Sequence, residues 1–293
     1  MYSDVSIIIP AFNEEQNIQK TLILLKENCP DAEVIVIDDG SSDTTAASAN
    51  QVPGIKLIQH AYNKGYGASL KTGMRKSTRP IIVWFDADGQ HRVEDMNAII
   101  EPIRSQGMDA TFGRRTKESA FVVRRVPGKW LLKLVSQIIA RQKIPDLNCG
   151  FRAFRRDIIM RYLHLLPDGF SASATTTLLM LKRNYMTAFV PVMSPKRVGS
   201  STVRMFRDGF RTLSIMFRIM LLFDAFLFFT FFALLQILPA ICYSIYMAIT
   251  FRLGIPVLGS LVIISGTLTF FMGIISSQIS QMRQERFESK EVS

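Results

Sequence analysis

Short apolar runs alternate with helical patterns through the first 115 residues. Residues 5–10, 34–38, 55–59, 81–85 and 110–113 are strand-like, and Ile and Val recur in the first four as a group. Residues 14–27, 44–50, 67–76 and 93–105 carry helical spacing. Such alternation predicts an α/β fold, a mainly parallel sheet flanked by helices. Ligands of such sheets lie beyond the carboxyl ends of the strands. The polar segments fall there: Asn13-Glu14-Glu15 after the first strand, residues 38–43 after the second and residues 86–91 after the fourth. Residues 116–203 are less regular, and the chain shows no internal repeat or low-complexity linker.

The pattern changes near the C-terminus. Between residues 221 and 250 the only charge is Asp224, and residues 255–279 have none. Each run exceeds the roughly 20 residues that cross a bilayer as a helix. Pro239 is a kink point in the first. The linker, residues 251–254, is too short for a domain, so the two spans form a hairpin. Before them, residues 204–222 place arginines three to four apart along much of their length with Phe, Met, Ile and Leu between, the pattern of a helix lying in the membrane interface. The expected organisation is a catalytic domain over 1–203, an interfacial helix over 204–222, two membrane spans within 223–280 and a tail over 281–293.

Composition supports this division. Apolar residues make up 48% of the 293, and the mean hydropathy of +0.20 exceeds that of ordinary soluble enzymes. The formal charge of +11 calls for an anionic partner. A membrane surface and phosphate-bearing substrates fit better than nucleic acid, because the basic residues crowd toward the spans and show no nucleic-acid-recognition motif. Arg204, Arg207, Arg211 and Arg218 precede the hairpin and Arg283, Arg286 and Lys290 follow it, whereas the loop has only Arg252. The positive-inside rule then puts both ends in the cytoplasm. The run 5–10 is too short for a secretory leader and follows Asp4 rather than basic residues. Cys29, Cys149 and Cys242 show no metal or redox spacing.

The sharpest chemical signal is Asp86-Ala87-Asp88-Gly89-Gln90, at the end of an apolar strand. Carboxylates two apart on a strand share one face and can converge on a hard cation that grips a diphosphate. No Gly-x-Gly-x-x-Gly fingerprint or Walker loop occurs, which argues against a dinucleotide enzyme or an ATPase. Asp38 and Asp43 suit capping of the turn and helix that follow them, and His91 reads as structural. Arg114 and Arg124 are open between a functional role and a solvated one. Trp130 and residues 131–135, flanked by Lys129 and Lys133, suit an interfacial helix.

Residues 9–15, 36–44, 63–68, 86–91, 113–115, 146–152 and 197–201 together resemble glycosyltransferase family 2, with the GT-A fold. Within it they are similar to the polyprenyl-phosphate branch, which includes bacterial undecaprenyl-phosphate glucosyltransferases and dolichyl-phosphate mannose synthases. The resemblance implies inverting transfer of one sugar, from UDP-glucose or a related UDP-sugar, to a polyprenyl phosphate at the cytoplasmic membrane face. It implies that Pro10, Glu14, Asp39 and Lys64 bind the nucleotide sugar. It also implies that Asp86, Asp88 and Gln90 hold Mg²⁺ or Mn²⁺ with the diphosphate, and that Arg115, Arg125 and Arg197 face phosphates. Ser201 joins Arg115 and Arg125 on the acceptor side. Asp146 is open between orienting a substrate and shaping a turn. A homo-oligomer is also implied, since relatives with this hairpin can form tetramers.

Two departures bear on the acceptor side. Thr202 follows Ser201 where many relatives have Lys, and residues 171–177 are all Ser, Ala and Thr where many carry an acid. The Gln-x-x-Arg-Trp element of processive synthases is missing, which argues against polymerisation. A different lipid acceptor such as diacylglycerol, and a catalytically silent nucleotide-sugar-binding scaffold, are the alternatives.

Overall fold

A computed structural model describes residues 2–116, 137, 143–169, 171–194, 205–252, 254 and 256–288. The chain divides into two compact units, Met1–Thr212 and Leu213–Ser293.

The first unit is built on a seven-stranded sheet. Its strands are β1 (Val5–Ala11), β2 (Glu33–Asp38), β3 (Ile55–Gln59), β4 (Ile81–Trp84), β5 (Ala110–Arg115), β6 (Arg152–Arg155) and β7 (Thr187–Val192). Their order is β3-β2-β1-β4-β6-β5-β7. The helices of this unit include α1 (Ile18–Asn28), α2 (Thr45–Asn50), α3 (Tyr66–Lys76), α4 (Met96–Ser105), α5 (Arg156–Arg161) and α6 (Ala172–Lys182). Pairing is parallel except at β6, which runs against both neighbours. The mainly parallel α/β sheet expected from the periodicity is therefore present.

Every residue of β1 is buried, as in a sheet covered on both faces. Ile7 and Ile9 join Ile18, Leu22 and Leu25 of α1 and Ile99, Ile100 and Ile103 of α4 in one core. The α1 positions recur at helical spacing and form a single apolar stripe. Burying each such side chain contributes about 1.5–3 kcal/mol. On the opposite face α3 packs against β1 and β2. Gly73 permits that close approach, because a Cβ there would lie 2.3 Å from Ile8 Cγ2.

Two details depart from the periodicity. The first helix begins at Ile18 rather than at residue 14, because residues 14–17 form a turn in which the Asn17 and Ile18 amides donate to Glu14 O. Strands β6 and β7 lie in the stretch that reads as irregular. β6 has only four residues, with Arg at each end, and β7 contains Pro191, which an edge strand tolerates.

Helix α7 (Met205–Phe251) leaves helical geometry at Asp224, where φ is −139° and ψ is 40°. The stretch beyond the break, Asp224–Phe251, and Val257–Met282 of α8 (Val257–Glu288) are long and apolar enough to cross a membrane. Only 17% of the most apolar part of each is buried, and Phe231, Leu235, Ile249 and Leu268 stand exposed. Core helices of a soluble protein would be mostly buried. The two helices pack together through small residues. A Cβ on Gly259, Gly266 or Gly273 would approach Ser244 Oγ to 2.3 Å, Ile237 Cγ1 to 2.5 Å and Phe229 Cβ to 2.6 Å, respectively. Ser265 Oγ donates to Gln236 Oε1 at 3.0 Å, satisfying polar groups within the hairpin.

Candidate active site

Parallel pairing carries the ends of β1, β2 and β4 to one rim. Strand β5 ends there at Arg115. The antiparallel β6 starts there, with Arg152 opposite Trp84. The acidic loops and the loop before β6 therefore meet along one edge of the sheet.

The first two loops are tied together by hydrogen bonds. The Asn13 amide donates to Ser41 Oγ at 3.0 Å, and the Ser42 amide returns a bond to Asn13 Oδ1 at 2.9 Å. Asn13 adopts φ +55°, a left-handed conformation that Asn tolerates. The Glu14 amide donates to Thr45 Oγ1 at 2.8 Å, and Thr44 Oγ1 donates to Glu15 Oε2 at 2.8 Å. Asp43 accepts from the Thr45 amide at the start of α2 and from the Glu15 amide. Asp38 accepts from the Ser41 amide at 3.2 Å. Both aspartates thus shape turns and a helix start, as their positions suggested. Pro10 is buried in β1, whereas Glu14 is partly exposed on the rim.

Asp39 is only 3% exposed. Its Oδ1 accepts from the Lys64 amide at 3.0 Å and meets His60 Nδ1 at 2.7 Å, and its Oδ2 accepts from the Gly65 amide at 2.8 Å. The carboxylate thereby shapes the loop leading to α3. Lys64 is exposed on that loop, with Nζ 5.6 Å from the centre of the Tyr62 ring. Gly65, at φ +104°, lets the loop pass against Asp168, whose carbonyl would lie 2.5 Å from a Cβ there.

Asp86, Asp88 and Gln90 are all partly exposed on the rim. Asp88 Oδ1 accepts from the Gln90 amide at 3.1 Å, in a tight turn. Asp86 is bracketed: Tyr66 donates its hydroxyl to Oδ1 at 2.9 Å, and His91 Nε2 faces Oδ2 at 3.5 Å. The Asp86 amide donates to His91 Nδ1 at 2.9 Å, so the ring is neutral with its proton on Nε2. Burial pushes the His91 pKa down to about 4, despite the nearby Asp88 carboxylate. The ring stacks on Phe151 and meets the edge of Phe85. His91 is thus a structural prop of the motif.

Among the described residues, no three His, Cys, Asp or Glu side chains assemble into a metal site. Two carboxylates and an amide supply hard oxygen donors. That incomplete set fits Mg²⁺ or Mn²⁺ when diphosphate oxygens complete the shell.

Arg115 pairs bidentately with Asp146, Nε to Oδ2 at 2.8 Å and Nη2 to Oδ1 at 3.0 Å. Burial opposes both charges, but the pairing prevails, so the Asp146 pKa falls and the Arg115 pKa rises. Asp146 also accepts from the Asn148 amide at 3.1 Å. It therefore fixes both a turn and an arginine. The same loop reaches Asp86 through Gly150, where a Cβ would lie 2.3 Å from Asp86 Oδ2. Arg152 is fully buried behind the rim. It donates to Cys149 O, Leu147 O and the hydroxyls of Thr176 and Thr177.

The structure thus gathers Glu14, Lys64, Asp86, Asp88, Gln90, Arg115 and Asp146 on rim loops, with Pro10 and Asp39 buried in their support. Arg125, Arg197 and Ser201 lie outside the described residues, as do Arg124, Lys129, Trp130 and residues 131–135. Sequence reasoning assigned no role to Tyr66, Gly150 or Arg152. The available signals were a tyrosine opening a helix after Gly65 and an arginine starting an otherwise apolar strand segment.

Residues 6–163, over half of the chain, match glycosyl transferase family 2, and the chain belongs to that family. It is 27% identical over 203 residues to the UDP-N-acetylglucosamine–dolichyl-phosphate N-acetylglucosaminyltransferase of Methanococcus voltae, covering 61% of this chain and 80% of that protein. It is 29% identical over 206 residues to the polyprenol monophosphomannose synthase of Mycolicibacterium smegmatis, covering 65% and 77%. Its fold resembles that of glucosyl-3-phosphoglycerate synthase from Mycobacterium tuberculosis, solved with Mn²⁺, UDP and phosphoglyceric acid. That comparison has a TM-score of 0.60 at 17% identity and covers 73% of this chain and 78% of the synthase.

Proposed function

We propose that the protein transfers a single sugar from a UDP-sugar to a polyprenyl phosphate at the cytoplasmic face of a membrane. The observation carrying this reading is the meeting of Asp86, Asp88 and Gln90 with Arg115 on one rim, in a chain that also bears two exposed apolar helices. The names of the relatives support a polyprenyl phosphate acceptor, while their sugars differ. In this reading residues 1–203 are catalytic, 204–222 lie in the interface, 223–280 hold the spans and 281–293 form a cytoplasmic tail.

The nucleotide lies against the loops after β1, β2 and β3, where Glu14 and Lys64 meet it and Asp39 holds the loop wall. Asp86, Asp88 and Gln90 hold Mg²⁺ or Mn²⁺, which when bound neutralises charge on the diphosphate. An acceptor phosphate oxygen attacks the anomeric carbon in line. The new C–O bond forms as the bond to the diphosphate oxygen breaks, its electron pair leaves on UDP, and the centre inverts. The acceptor is already anionic near neutral pH, so no strong general base is required. Arg115, preorganised by Asp146, stabilises phosphate charge, with Arg125, Arg197 and Ser201 assigned to the same task.

The test is a panel of nucleotide sugars with undecaprenyl phosphate or diacylglycerol, with Mg²⁺ or Mn²⁺, scored for lipid-linked product. Transfer to undecaprenyl phosphate that Asp88→Asn abolishes is expected. Transfer to diacylglycerol alone, or to neither lipid with any donor, overturns the proposal.

A further inference from the structure

Helix α6 opens with seven small or hydroxyl residues from Ser171 to Thr177, and the proposed chemistry uses none of them. Two of their hydroxyls nonetheless face the buried Arg152 behind the rim. Arg152 Nη1 donates to Thr176 Oγ1 at 3.0 Å and to Thr177 Oγ1 at 2.7 Å. Those hydroxyls pass their own protons to carbonyls one turn back, Thr176 to Ala172 O and Ser173 O, and Thr177 to Ser173 O. Arg152 thereby ties α6 to the loop 147–149, through Leu147 O at 2.9 Å and Cys149 O at 2.6 Å. Tyr66, at the start of α3, donates its hydroxyl to Asp86 Oδ1 at 2.9 Å.

A second set of contacts holds the start of α3, where Tyr66 lies. The Ala68 amide donates to Asp168 O at 3.1 Å, and Lys71 Nζ reaches Leu166 O and the Asp168 carboxylate. A Cβ on Gly67 would lie 2.0 Å from Pro167 O. The start of α3 is therefore pressed onto the segment leading into α6. Asp86 meets Tyr66 on one oxygen and His91 on the other, with the Gly150 backbone alongside.

We infer that Tyr66 is a positioning residue of the cation site, its hydroxyl holding Asp86 in register for the metal and diphosphate. This assignment rests on the cation reading given above. Outer groups that hydrogen-bond a ligating carboxylate set its direction, and their loss costs about 10–100-fold in metal affinity. Thr176 and Thr177 of α6 supply neutral acceptors to Arg152, and residues 171–177 bring no acid that would compete with Asp86 for the same tyrosine.

The experiment compares purified full-length wild type with Tyr66→Phe. Mn²⁺ binding is read by electron paramagnetic resonance with UDP present, UDP binding is read without metal, and melting temperature is recorded. Tyr66→Phe is expected to weaken Mn²⁺ about 10-fold. Metal-free UDP affinity and melting temperature should stay near those of wild type. Unchanged Mn²⁺ affinity in Tyr66→Phe overturns the inference, as does an equal loss of metal-free UDP binding, which marks a merely structural role. A wild type that binds no Mn²⁺ with UDP overturns the cation reading itself.

Discussion

Gly150 shows how much of the site rests on an absent side chain. A methyl group there would sit 2.3 Å from Asp86 Oδ2, inside any real contact distance, with His91 Cε1 at 3.3 Å closing the other direction. Asp86 would have to turn, and its bond from Tyr66 would go with it. Misplacing a reacting group by about 1 Å costs on the order of 100-fold in rate. Gly150→Ala is therefore expected to lower sugar transfer about 100-fold while the protein still folds. Turnover and a melting curve on the same preparation check this, and wild-type turnover would place Asp86 outside the reacting centre. Residues of this kind were poorly legible in the sequence. The acids of the rim announce themselves as charges at strand ends. Gly150 and Tyr66 matter only through partners 64 and 20 positions away, Asp86 in each case. Asp39 shows the converse. Its place after β2 was legible, but its inward turn toward His60 and two backbone amides was not, because those donors come from the loop after β3.

The first strand and the fourth helix are joined by an ion pair far from the rim. Arg104 on α4 donates through Nε to Asp4 Oδ2 at 2.9 Å, just before β1, and lies over the Tyr2 ring. The hydrogen bond from Arg104 holds the Asp4 pKa below its ordinary value of 3.8, outweighing the opposing effect of burial. A carboxyl whose pKa is depressed by folding adds stability that is complete above the unfolded value and lost as pH falls through the folded one. Arg104→Met should therefore melt below wild type at neutral pH, and the gap should narrow once the pH drops under 3.8. Melting temperatures across pH 7 to about 3 test the sign, and a gap that widens on acidification would refute it. At this scale the sequence was most informative where periodicity was strong. The four helices after β1, β2, β3 and β4 were all visible as patterns. Strands β6 and β7 were not, since β6 spans four residues with arginines at its ends and β7 is an edge strand with a proline. Such elements exist because their neighbours pair with them, rather than by local preference.

At the scale of the whole molecule, the proposed orientation in a membrane is open to direct measurement. By the positive-inside rule, the basic residues on both sides of the hairpin, against Arg252 alone in its loop, favour the proposed arrangement with the loop outside and the ends inside. A membrane-impermeant maleimide should therefore label Arg252→Cys in intact cells and Ser293→Cys only after lysis. The chain must first carry Cys242→Ser, since Cys242 is exposed. Cys29 and Cys149 add little background, because burial pushes both thiols up to about 11. Labelling of residue 293 in intact cells would invert the topology. The sequence alone determined the α/β class, the acidic rim, the family and the two long apolar helices. Each is written in local patterns: alternation, charge at strand ends and uninterrupted hydropathy. Only the tertiary structure decided that β6 runs antiparallel, that Arg152 is buried, that Asp146 clamps Arg115 and that Tyr66 grips Asp86. Those facts depend on which distant segments the sheet brings together, and local periodicity records only which face of a segment is buried.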